Sequence, residues 1–125
     1  MNTLVLLLEQ GSEWNPNIWA AENGGETGAN GQIMIERSEG WLSVLRDDSV
    51  LNDFDEDERR RLSELLTEPA GYLIEWRDSA LVEALLQAVP PQTRAVIDND
   101  HGLLVPVQAV RERPFESWVR ASMLR

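Results

Sequence analysis

Apolar residues recur along this chain in three spacings, and each spacing predicts a different element. Thr3 to Leu8 (TLVLLL) is apolar almost throughout and too short for a helix, which predicts a buried strand. Gln32 to Arg37 and Trp41 to Arg46 read as two strands of a hairpin turned at Ser38-Glu39-Gly40. Helical spacing follows at Asp55 to Leu66, where Leu62, Leu65 and Leu66 share a face. Asp55 caps this helix, Glu58 completes a capping box, and Glu68-Pro69 ends it. An earlier helix starts at Asn15 as N-cap with Pro16 at the first helical position, where the missing N–H costs nothing. Trp14 and Trp19 take the two positions of a hydrophobic staple around that start.

The stretch Gly71 to Val107 organises the rest. GYLIEW predicts a strand, and Leu81, Val82, Leu85, Leu86 and Val89 form one helical face. Asp78 or Ser79 caps that helix, and Pro90-Pro91 terminates it. RAVID and LLVPV are two further strands about a turn at Asp98 to Gly102. A strand, a helix and a strand so close together suggest a right-handed crossover, with an antiparallel return as the alternative. Pro106 cannot donate to a ladder, so the last strand belongs at an edge. A final helix is expected from Pro114, with Phe115, Trp118, Val119 and Met123 on one face. Glu22 to Gly31 is glycine- and asparagine-rich and reads as a mobile loop, while Asp47 to Phe54 reads as an irregular or one-turn link. The expected fold is α+β: a single domain over 1–125, with a mainly antiparallel sheet of about six strands and three to four helices packed on it.

Composition narrows the function classes. The chain has 125 residues and no run long and apolar enough for a membrane span. Leu4 to Leu8 lacks the preceding basic residue of a signal peptide, and no Cys is present, so a cytoplasmic address is expected. Without Cys there is no thiolate nucleophile or thiolate metal ligand. Without Lys there is neither Schiff-base chemistry nor a phosphate-binding Gly-Lys-Ser/Thr loop. One His cannot build a multi-imidazole zinc site. No cofactor is expected. The glycines of the 22–31 loop do not have dinucleotide-binding spacing.

Two motifs look chemical until their neighbours are read. His101 follows Asp98 and Asp100 in the turn Asp98-Asn99-Asp100-His101-Gly102, and the two nearby carboxylates could make it a general base, but Asp, Asn and Gly are also what a tight hairpin turn requires. Asp53, Asp55, Asp57 and Glu64 match positions 1, 3, 5 and 12 of a calcium loop. Position 6, however, is Glu58 rather than Gly, and Arg59-Arg60-Arg61 follow. No catalytic residue is assigned.

Charge points to a partner. The formal net charge is −11, and residues 1–70 hold −10 of it. Such a chain repels nucleic acid and attracts basic proteins. Asp47, Asp48, Asp53, Asp55, Glu56, Asp57 and Glu58 concentrate seven carboxylates within twelve residues and form the candidate partner-binding surface. The competing view is a solvated helix start, partly neutralised by Arg59 to Arg61. Of the five Trp residues most are expected in the core, with one or two free to act as interface anchors.

In size, in the acidic cluster 47–58 and in the run GYLIEW…SALVEALLQAVPP…AVIDNDHGLLVP, the chain resembles the small acidic immunity proteins of bacterial polymorphic-toxin systems. The resemblance implies a non-enzymatic, stoichiometric inhibitor that occludes one cognate basic toxin domain, with no nucleic acid or membrane as partner. A structural or adaptor subunit with incidental acidity is the alternative, and a small hydrolase-like enzyme using His101 comes third.

Overall fold

A computed structural model of the chain describes residues 2–38, 40–77, 79–98 and 104–107. Within them the fold is α+β, with three α-helices and one 3-10 helix around a seven-stranded sheet. The strands are β1 (Asn2–Glu9), β2 (Glu26–Thr27), β3 (Ile33–Arg37), β4 (Gly40–Arg46), β5 (Pro69–Trp76), β6 (Ala95–Asp98) and β7 (Leu104–Pro106). The helices are α1 (Pro16–Glu22), α2 (Glu56–Leu65) and α3 (Ser79–Gln87), and the 3-10 helix spans Asp48–Asp53. The expected helix from Pro114 lies outside the described residues, as do Asp78 and residues 99–103 of the His101 turn. No described helix is long and apolar enough to cross a membrane.

The sheet order is β2-β3-β4-β5-β1-β6-β7, and every neighbouring pair is antiparallel. β1 sits inside the sheet because Leu4 to Leu8 are all buried, and only an inner strand covered on both faces hides such a run. It pairs along its whole length with β5 and, through Val5 to Leu8, with β6. Since β5 and β6 are each antiparallel to β1, they run parallel to one another. The β5-α3-β6 connection is therefore a crossover that steps over one strand. Among the described residues β7 is an edge strand, in keeping with Pro106. The expected loop at 22–31 departs from expectation in one respect: Glu26 and Thr27 pair with Met34 and Ile33 and extend the β3 side of the sheet.

Strand alternation sorts the core into two layers. Leu4, Leu6 and Leu8 of β1, Ile74 and Trp76 of β5, and Leu42 and Val44 of β4 face α1 and α3. α3 covers them with Leu81, Val82, Leu85 and Leu86, each fully buried side chain of this size stabilising the fold by about 1.5–3 kcal/mol. α1 begins as its sequence dictates: the Asn15 side chain accepts from Ile18 N–H at 2.9 Å, and Trp14 and Trp19 pack against the same layer. Val5 and Leu7 face the other way, toward Val50 and Phe54 around the 3-10 helix and Leu62 and Leu66 of α2.

Candidate functional site

Six of the seven candidate carboxylates fall into two groups, one at the start of the 3-10 helix and one at the start of α2, and Asp53 ends the 3-10 helix. The first group is anchored to the sheet through Gly71. Asp47 N–H donates to Gly71 O at 2.9 Å, and Gly71 N–H donates back to Asp48 Oδ1 at 3.0 Å. The segment lies so close to β5 that a Cβ on Gly71 would stand 2.6 Å from Val50 Cγ2 and 2.9 Å from Asp47 O. Glycine is required here for approach, not for an unusual φ.

Asp48 is held from a second side. Arg46 donates Nε to its Oδ1 at 3.0 Å and Nη2 to its Oδ2 at 2.9 Å, a bidentate fork. The same guanidinium stands 5.5 Å from the centre of the Tyr72 ring. The Arg46 bond, then the Gly71 N–H, hold the Asp48 carboxyl below its ordinary value, and Asp48 in turn raises Arg46. Asp47 caps the 3-10 helix, accepting from Ser49 N–H at 3.0 Å and from the Ser49 hydroxyl at 2.5 Å.

The second group begins with the expected capping box. Glu58 N–H donates to Asp55 Oδ1 at 2.8 Å, and Asp55 N–H donates to Glu58 Oε1 at 3.2 Å. Asp57 accepts from Arg60 Nη2 at 2.8 Å, with both side chains largely exposed, so this pair adds little. Asp53 and Glu56 are exposed and make no side-chain hydrogen bond or ion pair with the described residues. Five of the seven carboxylates thus have local structural tasks, and two project freely. Arg59 and Arg61 are engaged by backbone carbonyls: Arg59 Nε donates to Phe54 O at 3.0 Å, between Asp53 and Asp55 in the chain, and Arg61 Nε donates to Leu104 O at 3.3 Å, tying α2 to β7. Among the described residues no three carboxylate or imidazole groups converge on a point where a cation would sit. The calcium-loop spacing instead serves the helix cap.

The structure groups residues that the sequence had not brought together. Leu51, Phe54, Leu62 and Leu66 line a small hollow of about 190 Å³, and Phe54 is flanked in the chain by Asp53 and Asp55. Glu9, at the end of β1, accepts from Thr67 N–H at 2.5 Å and Glu68 N–H at 2.9 Å, fastening the α2–β5 connection. The Glu68 bond, then the Thr67 bond, hold the Glu9 carboxyl below its usual range. A larger cleft at the β3–β4 hairpin end brings together Arg37, Trp41 and Arg77. A visible signal existed only for the hollow, in the apolar spacing of Phe54, Leu62 and Leu66. Of the Trp residues, Trp76 is buried, and Trp14, Trp19 and Trp41 are half-buried. No family model matches the chain, and neither curated proteins nor solved structures give a significant match.

Proposed function

We propose that this protein is a stoichiometric inhibitor of the toxin-immunity type, binding a basic partner through the 3-10 helix and the start of α2. One observation carries the reading: an apolar hollow lined by Leu51, Phe54, Leu62 and Leu66, with Arg59 also in its wall, is built from the same chain segment as the exposed carboxylates of Asp53 and Glu56. Tight interfaces combine an apolar anchor pocket with a charged surround that steers encounter. The formal net charge of −11 supplies the steering field. The partner is a basic protein, a toxin domain, that places an apolar side chain in the hollow and arginines or lysines over the carboxylates. Inhibition is by occlusion and uses no catalytic residue or cofactor.

The test is charge reversal at Asp53 and Glu56, which alters the surface without touching a cap. The expected result with a cognate basic partner is affinity lowered at least about tenfold, with a shallower salt dependence. Unchanged affinity in the D53K/E56K protein removes this surface from the mechanism. The adaptor reading is favoured by the local duties of Asp47, Asp48, Asp55, Asp57 and Glu58, which give their acidity a purely structural use. It predicts a bound partner whose activity persists and whose affinity ignores salt.

A further inference from the structure

Two Asn-Gly pairs occur in the chain, Asn23-Gly24 and Asn30-Gly31, and both asparagines are exposed on the connection between α1 and β3. In such a pair no Cβ beside the glycine nitrogen obstructs its approach to the preceding side chain. Sequence and exposure treat the two sites alike. The fold separates them.

Asn23 is held at the end of a helix. It is the C-cap of α1, and its N–H donates to Trp19 O at 3.1 Å. Its Nδ2 donates to the same carbonyl at 2.8 Å, and the N–H groups of Gly24 and Gly25 close on Ala21 O and Ala20 O. Backbone geometry is a second obstacle. Closing a five-membered ring onto Asn Cγ needs the glycine nitrogen nearly eclipsed with Cβ about the Cα–C bond. A ψ of 26° at Asn23 turns the Gly24 nitrogen almost to the far side.

Asn30 is restrained far less. It lies in the turn between β2 and β3, and its side-chain amide makes no hydrogen bond with the described residues. Its backbone N–H is met by a side chain, Gln32 Oε1, at 3.1 Å. Gly31 N–H donates to Gly28 O at 3.1 Å, and this turn bond must open before the Gly31 nitrogen can reach Asn30. Opening within an exposed loop costs little beside fraying a helix end that several bonds hold.

We propose that Asn30 is a site of spontaneous deamidation and that Asn23, a few residues away, is protected by the end of α1. The Gly31 nitrogen attacks Asn30 Cγ: the N–Cγ bond forms, the Cγ–Nδ2 bond breaks, and ammonia leaves with the amide proton. Water then opens the cyclic imide. Opening at the Cγ carbonyl leaves aspartate, and opening at the backbone carbonyl leaves isoaspartate, with the chain running through the side chain. Either product adds a carboxylate to a chain already at −11, and isoaspartate also lengthens the turn by one backbone carbon. β2 is only Glu26 and Thr27, and the bond from Gly28 N–H to Gln32 O at 2.7 Å continues its pairing into the turn. Isoaspartate at position 30 therefore loosens β2 and bares the edge of β3. This site is separate from the acidic surface and stands or falls independently of it.

The experiment incubates the full chain in mildly alkaline buffer, folded and in guanidinium chloride, and follows residues 23 and 30 by peptide mass spectrometry. In the folded chain Asn30 should convert at least about tenfold faster than Asn23, and in denaturant the two rates should approach parity. Asn30→Gln should remove the fast conversion and leave the thermal unfolding midpoint unchanged. In the isoaspartate fraction the Gly28 amide should lose its protection from exchange. Equal conversion of Asn23 and Asn30 in the folded chain overturns the proposal, as does an Asn30 that stays intact when folded yet converts in denaturant. Unchanged protection of Gly28 overturns the consequence drawn for β2.

Discussion

The two faces of the sheet are held down by different means. On one, α1 and α3 lay Ala20, Val82, Leu85 and Leu86 directly on a broad apolar surface that includes Leu6, Leu42 and Ile74. On the other, a smaller cluster around Leu7, Val50, Phe54 and Leu62 is supplemented by carboxylates that fasten connecting segments to the strands. Asp48 holds the Gly71 N–H, Glu9 holds those of Thr67 and Glu68, and Asp55 starts α2. The first face rests on the burial of apolar side chains. The second depends on groups that must stay ionised, and it is also the face that carries the candidate partner surface.

The largest break in this comparison is Leu85→Ala. Leu85 is fully buried beneath α3, and its truncation should cost about 2–5 kcal/mol, measured by denaturant unfolding. Gly71→Val tests the second face sterically. The new side chain meets Val50 and Asp47, and overpacking of this kind should cost about 1–3 kcal/mol while leaving α3 protected in amide exchange. Acid sharpens the contrast further. The Glu9 and Asp48 carboxyls are depressed in the fold, so their stabilisation is complete above the ordinary carboxylate range and is lost as pH falls through their folded values. Below roughly pH 4, amide exchange near the 3-10 helix and Thr67 should therefore rise before exchange in α3, and Asp48→Asn should flatten part of that dependence. The smallest effect belongs to Arg60→Ala. Its pair with Asp57 is exposed, so the unfolding midpoint should move by no more than about 0.5 kcal/mol in stability terms.

What was legible in the sequence was local. The Asn15-Pro16 start, the Asp55–Glu58 capping box, the α3 face and the edge position required by Pro106 all depend on residues a few positions apart, and each is present in the fold. The antiparallel α+β architecture followed from them. Legibility failed where distant segments meet. That β1 inserts between β5 and β6 is set by which apolar runs best bury one another, and spacing within any one run does not reveal it. β2 escaped notice because two residues, Glu26 and Thr27, carry no periodicity and pair only because β3 presents an open edge. The acidic cluster was visible because it is contiguous, yet its internal division into caps, an ion pair and two free carboxylates needed coordinates. Trp41 and Arg77 belong to different segments, and only strand register makes them neighbours.

The inner position of β1 has a consequence for biogenesis. Its apolar residues emerge from the ribosome well before either flanking strand: Asn2 must wait for Trp76, and Leu8 for Ala95. At about 5–20 residues per second the segment TLVLLL is without its sheet partners for several seconds. During that interval it is an adhesive hydrocarbon segment, open to chaperones and to the same segment of neighbouring nascent chains. Slow closure of such long-range pairs also makes this a protein whose yield at high expression should be limited by aggregation before β5 arrives, not by the stability of the finished sheet.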